Sequence, residues 1–362
     1  MFKERIYNFS AGPSMLPAAV LERASADLLN YNATGMSVME MSHRSKVYDE
    51  IFQSVKEKLR KVMNIPSGYH ILFMHGGATG AFASVAMNLI GENGKADYVI
   101  TGNFSKNAAS EAKKYGAVNI AYDTADKNHT YIPEQKDLKL TQGASYLHYC
   151  ANNTIFGTAW KYVPTAGGVP VVSDMSSCIL SEPVDVSKFG LIYAGAQKNM
   201  APAGFAVAIL NKDVPIKTLG YTPKILDYNM MIKEDSMPNT PSTYNIYILG
   251  LVLDWIQELG GLTKMAEINR DKAKILYNYL DSSEFYISPA QKEARSVMNI
   301  TFKTANEEMD AKFVKESAAA GLANLKGHRL VGGMRASVYN AMPMEGVAKL
   351  VEFMDKFERD NR

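Results

Sequence analysis

Short apolar runs alternate with amphipathic stretches from Tyr69 to Leu210. Tyr69–Met74, Tyr98–Thr101 and Val118–Tyr122 combine β-branched and aromatic residues between polar or glycine boundaries, and read as strands. Thr79–Ile90 and Ser105–Tyr115 lie between them and read as helices, the first opened by Gly76-Gly77. Ser145–Cys150, Val169–Ser173, Leu191–Ala194 and Phe205–Leu210 are further apolar runs. Strand and helix in alternation predict an α/β layer on a mainly parallel sheet. Sites in such sheets lie beyond the carboxyl ends of the strands.

From Thr243 the pattern lengthens. Thr243–Leu259 and Leu262–Leu280 read as long helices broken at Gly260-Gly261. Val297–Thr301, Met309–Ala320, Arg335–Val338 and Gly346–Glu358 read as a small α+β unit. The expected division is therefore 1–259, an N-terminal segment with the large domain, and 260–362, a small C-terminal domain. Lys212–Tyr244, rich in Pro, Asn, Thr and Ser, reads as one long loop, a kind of segment that is usually functional or at an interface.

Composition narrows the classes. The chain has 362 residues, 47% apolar and 21% charged, as in an ordinary soluble protein. A net charge of +2 with scattered basic residues points to neither nucleic acid nor a membrane surface. No apolar run approaches the roughly 18 residues of a spanning helix, and the first residues lack the apolar stretch of a signal peptide. Cys150 and Cys178 are the only cysteines, too few for a disulfide framework or a four-cysteine zinc site. A cytoplasmic protein without a metal is expected.

Within this frame Ala194–Gly204, AGAQKNMAPAG, stands out. It sets Lys198 among small residues just after an apolar strand. A lysine is seldom buried without a partner, but desolvation yields the neutral amine that attacks a carbonyl. Upstream, Val171-Val172-Ser173 runs straight into Asp174. A lysine and an acid at successive strand ends suit pyridoxal phosphate, the one holding the aldehyde and the other the pyridinium nitrogen. Taken singly, Lys198 reads as a loop lysine and Asp174 as a helix cap; the functional reading rests on the pair. His75-Gly76-Gly77-Ala78-Thr79-Gly80 lies between strand and helix, where backbone N–H groups meet phosphate, although it is neither a P-loop nor GxGxxG. Phe104 reads equally as a ring stacking on a cofactor or as a core residue. Asn152-Asn153-Thr154 reads as a contact to a ring hydroxyl or as a turn. Arg44, Arg329 and Arg335, beside His43, His328 and Gly333, suggest a substrate with more than one anionic group.

These segments carry a resemblance that runs over nearly the whole chain. Asn8–Pro13, Met41–Ser45, Gly76–Thr79, Ser173–Ser177, Gly195–Asn199, Asn239–Pro241, Lys326–Arg329 and Gly332–Met342 together resemble the phosphoserine aminotransferases, a branch of the class V pyridoxal-phosphate aminotransferases. The last two segments separate that branch from relatives such as cysteine desulfurases. The resemblance implies fold type I, with a seven-stranded, mainly parallel sheet and a small α+β domain. It implies pyridoxal 5'-phosphate as cofactor, Lys198 as the Schiff-base lysine and Asp174 as the partner of the ring nitrogen. By the same matching, Ala78, Thr79 and Gln197 bind the cofactor phosphate, with Asn239 and Thr240 contributed by a second subunit, so a homodimer with shared sites follows. Thr154 falls beside the ring oxygen, and Arg335 on the substrate α-carboxylate. His43, Arg44, His328 and Arg329 fall on the substrate phosphate. Phe104 stands where the family commonly has tryptophan.

The implied reaction exchanges an amino group between L-glutamate and a phosphorylated keto acid, 3-phosphohydroxypyruvate, in serine biosynthesis. It leaves the phosphohydroxythreonine reaction of pyridoxine biosynthesis open. Two rivals remain at this level: a desulfurase or lyase, which needs a mobile nucleophilic cysteine, and a non-enzymatic binder on the same fold, which needs no lysine–acid pair.

Overall fold

The computed structural model describes residues 5–362. The chain opens with β1 (Tyr7–Asn8), α1 (Ala18–Ala26) and α2 (Lys46–Val62). The sheet region follows: β2 (Tyr69–His75), α3 (Gly77–Leu89), β3 (Lys95–Ile100), α4 (Asn103–Ala112), β4 (Ala117–Asp123), β5 (Leu147–Cys150), a ribbon of β6 (Asn152–Asn153) and β7 (Thr158–Ala159), β8 (Val171–Asp174), β9 (Leu191–Gly195) and β10 (Phe205–Asn211). Then come α5 (Tyr228–Lys233), α6 (Thr243–Glu258), α7 (Gly261–Ser282), β11 (Asn299–Phe302), α8 (Glu307–Ala319), β12 (Leu322–Ala323), β13 (Met334–Ser337) and α9 (Met344–Asn361).

Seven strands form one sheet in the order β2-β10-β9-β8-β5-β3-β4. All run the same way except β10, which is antiparallel to β2 and β9. β5, β8 and β9 are buried at every position. Strands buried on both faces need a helical layer on each side, which explains why apolar residues fill both faces of these strands. Phe73, Ile192 and Ile209 pack toward α2 and α6 on one face. Leu72, Val172 and Tyr193 pack toward α3 and α4 on the other.

The C-terminal unit has its own core, in which Phe302, Phe313 and Phe357 pack edge to face. β11 and β13 form an antiparallel pair. The expected boundary at Leu259 falls in the turn between α6 and α7, where Gly260 takes a left-handed φ of +103°. α7 joins both cores: Leu262 and Met265 belong to the large one, Ala273, Leu276 and Leu280 to the small. The N-terminal segment, grouped with the large domain by the sequence reading, instead pairs β1 in parallel with β12 and buries Phe9 in the small core.

Lys212–Tyr244 is not a continuous loop. It contains α5, whose first turn is capped by the Asp227 side chain accepting from Asn229 N–H, and which buries Tyr228 and Met231. No single helix among the described residues is long and apolar enough to cross a membrane.

Candidate active site

β8 and β9 end side by side, with Asp174 opposite Tyr193. β10 starts at the same edge, pairing Phe205 with His75 and Ala206 with Gly195. The lysine-bearing loop therefore leaves one strand and re-enters its neighbour. Its feet are held by Ala196 N–H to Phe205 O (3.0 Å) and Ala201 N–H to Ala196 O (2.9 Å). The N-terminal segment braces it: Ser14 donates from its N–H to Gln197 O (2.9 Å) and from its hydroxyl to Lys198 O.

Below this arch lies a cavity of about 490 Å³. Lys198, Asp174, Thr154 and Phe104 line it, together with Ala78, Thr79 and Gln197 at one end and His328 and Arg335 from the C-terminal unit. A larger cleft of about 660 Å³ between α1, α2 and α6 has only part-exposed ion pairs such as Lys58–Asp254, with no buried lysine and no glycine turn. Size does not mark the site here; the convergent polar groups do.

Lys198 is 8% exposed and donates to Thr154 Oγ1 at 2.7 Å. Burial pushes its amine down to about 8, opposed by Asp174 and reinforced by Arg335. Burial also pushes the Asp174 carboxyl up, against the Ser176 N–H that reaches Oδ1 at 2.8 Å and against Lys198. Asp174 Oδ2 has only the Cys150 thiol, with Sγ at 3.8 Å. A buried carboxylate with one oxygen so poorly served is built to accept from a further cationic donor. Phe104 is half-exposed on the cavity wall, its ring centroid 5.5 Å from Lys198 Nζ, so it is not a core residue.

Arg335 reaches in from β13, its Nη1 donating to Thr154 O at 3.3 Å. Its Nε is buried without a partner. An unsatisfied guanidinium N–H is costly, so an anionic acceptor from outside the chain fits there. His328 Nδ1 accepts from Leu330 N–H at 3.3 Å, and burial, Arg335 and Arg329 hold its imidazole low.

The opposite end of the cavity suits phosphate. Gly76 and Gly77 adopt φ of +83° and +58°, and α3 starts without a side-chain cap, so its first N–H groups face the cavity unpaired. Gly195 keeps that space open: a Cβ there would sit 2.8 Å from Gln197 Oε1 and 3.3 Å from Ala78 N. An anion cradle, a buried carboxylate and a desolvated lysine along one cavity fit pyridoxal phosphate.

Five residues singled out from sequence do not line this cavity: His43, Arg44, Asn239, Thr240 and Arg329. Arg44 donates to Met237 O at 3.4 Å, which ties it to the segment leading to the exposed Asn239 and Thr240. Arg329 is exposed next to His328. Conversely, the sequence reading did not assign Ser176 or Cys150 to the site. The Cys150–Asp174 pairing between β5 and β8 places the thiol there. Cys150 is buried with its thiol pKa driven well up, and burial raises that of Cys178 too. Neither is the exposed thiolate a desulfurase requires.

Comparison with known proteins agrees with this geometry. The family described as Aminotransferase class-V matches residues 6–350. A phosphoserine aminotransferase of Pseudomonas entomophila is 49% identical over 358 residues, covering 99% of both chains. One from Bacillus cereus is 48% identical over 359 residues, covering 99% of this chain and 100% of the relative. The solved phosphoserine aminotransferase of Bacillus circulans subsp. alkalophilus superposes with a TM-score of 0.97 at 44% identity over 99% of this chain and 100% of that one. A pyridoxal-phosphate-bound phosphoserine aminotransferase of Trichomonas vaginalis gives 0.93 at 39% identity, over 97% of this chain and 100% of that one. Matched across essentially its full length, the chain belongs to the class-V aminotransferases, in the phosphoserine aminotransferase family.

Proposed function

We propose that this chain transfers an amino group between L-glutamate and 3-phosphohydroxypyruvate, giving 2-oxoglutarate and O-phospho-L-serine for serine biosynthesis. The observation that carries the reading is the meeting of buried Lys198 and buried Asp174 in one cavity with Arg335 and His328. Pyridoxal phosphate, when bound, supplies the electrophilic aldehyde and the electron sink.

The residues supply the rest. The N–H groups at the start of α3, with Thr79 and Gln197, would hold the cofactor phosphate. Asp174 would accept from the cofactor's ring nitrogen and favour its protonated form, and Phe104 would lie against the ring. Lys198 would hold the cofactor through its amine and would take the proton from the substrate Cα; a depressed amine pKa suits a general base near neutral pH. Thr154 Oγ1 orients Lys198 Nζ. Arg335 forks onto the α-carboxylate of either substrate, and its unpartnered Nε supports that role. His328 and Arg329 take the substrate phosphate, and glutamate's side-chain carboxylate uses part of the same pocket.

His43, Arg44, Asn239 and Thr240 belong, in this reading, to the site of a second copy in a homodimer. Their position off the cavity, and the Arg44–Met237 bond that gathers them into one patch, support it. A cytoplasmic location accords with two free thiols.

The test is a coupled assay with O-phospho-L-serine and 2-oxoglutarate, following glutamate formation. Turnover well above that with L-serine is expected. Absence of glutamate formation by cofactor-loaded protein would refute the activity.

A further inference from the structure

Lys272, on α7, lies outside the cavity and is wholly buried, with 0% of its surface exposed. Its hydrogen-bond acceptors are backbone carbonyls: Tyr339 O at 2.7 Å, Val338 O and Met342 O at 3.1 Å, and Asn340 O at 3.5 Å. A buried ammonium without an acid persists only if its protons are all satisfied, and here four acceptors meet three donors. Burial pushes this amine down to about 7, and the ring of carbonyls favours the charged form.

The carbonyls belong to the turn that directly follows β13, the strand of Arg335. The same turn reaches the site by two more routes. Asn340 N–H donates to Asn199 Oδ1 at 3.1 Å, next to Lys198. Tyr339 hydroxyl donates to Ala11 O at 2.9 Å, on the cavity wall. Asn269, three residues before Lys272 on the same helix, adds a bond from its Nδ2 to Asn340 Oδ1 at 2.9 Å. Three walls of the cavity thus converge on one short turn, and α7 holds that turn from behind while spanning both cores.

We propose that Lys272 is a positioning residue: by gathering the carbonyls of residues 338–342 it fixes the turn that sets Arg335 against Lys198 and the Ala11 segment. The proposal rests on Arg335 as the carboxylate clamp. Removing the ammonium takes a donor from all four carbonyls, and Tyr339 O keeps only the Met342 N–H at 3.0 Å, so the turn relaxes and the clamp shifts.

The test compares Lys272→Met with wild type as holoenzyme. KM for O-phospho-L-serine and for L-glutamate is expected to rise together by about tenfold or more, because displacing a positioning group by ~1 Å costs up to about a hundredfold. The kcat at saturation moves far less, and the cofactor absorbance is kept. Leu280→Ala, buried elsewhere in the small core, serves as the control for lost stability: it lowers Tm but leaves both KM values near wild type. If Lys272→Met lowers Tm and leaves both KM values unchanged, the positioning role is overturned. Where Lys272→Met does not fold, Lys272→Gln, with two donors left, is judged by the same joint KM rise. Arg335→Ala in the same assay separates the two readings. Unchanged KM there sinks the clamp itself, whereas a rise there with none in the Lys272 variant sinks only the positioning role.

Discussion

Desolvation of Lys198 has a measurable consequence before any substrate is present. Its amine is lowered from 10.5 to about 8 because it is buried, with Arg335 adding to the effect and Asp174 resisting it. At pH 7.5 such an amine is neutral in about a quarter of the molecules, against about one in a thousand for an ordinary lysine. The reactive fraction is therefore raised about two-hundredfold. After removal of the cofactor, limited acylation across a pH series with peptide mapping reads the midpoint at Lys198 directly. A midpoint near 8 is expected. Asp174→Asn removes the charge that favours the ammonium, so the midpoint moves lower still. A midpoint near 10.5, or an upward move in Asp174→Asn, refutes the burial argument. The shift also carries a stability sign. Between about 8 and 10.5 the folded chain binds fewer protons at this site than the unfolded chain. The Lys198 contribution thus makes the cofactor-free protein more stable as pH rises through that window.

The remaining expectations address the other parts of the site. Arg329→Ala should lower catalytic efficiency for phosphoserine relative to serine by about one to two powers of ten, the worth of a charge-assisted bond; an unchanged ratio misassigns the phosphate pocket. Mixing Lys198→Ala chains with Asn239→Ala/Thr240→Ala chains should restore part of the lost activity if sites are shared; no recovery, with a monomer on sedimentation, rules sharing out. Gly195→Ala fills the space beside Ala78 N and Gln197, so cofactor retention on dialysis should weaken with the fold intact; full retention at wild-type affinity places the phosphate elsewhere.

Lys198 and Asp174 could be read from the chain because each follows an apolar run, and a strand end is a local property. The burial that lowers one and raises the other could not, since it comes from segments far apart in the chain, among them Thr154, Phe104, the Ala11-Gly12 stretch and Arg335, that close over the strand ends. The direction of β10 was equally invisible: an apolar run such as Phe205–Leu210 looks the same whichever way it points. The approach of Cys150 to Asp174 depends on strand register, which no local pattern encodes. α5 was missed because six residues give too little periodicity, and its existence depends on burying Tyr228 and Met231. Phe104 was ambiguous for a similar reason: only its half-exposed place on the cavity wall decides between stacking and core.

The pairing of Tyr7 with Leu322 has a consequence for biosynthesis. On a ribosome adding about 5–20 residues per second, the first strand waits roughly fifteen seconds to a minute for its partner to be made. Meanwhile the large sheet has its strands in hand, but the C-terminal core lacks Phe9 until the N-terminal segment is brought back to it. The C-terminal unit is thus closed by residues made well before it, and the peptide that closes it carries Ala11 and Gly12 along the cavity on the way. Completion of the nascent C-terminal unit and completion of the catalytic wall become a single late event in the life of each new chain.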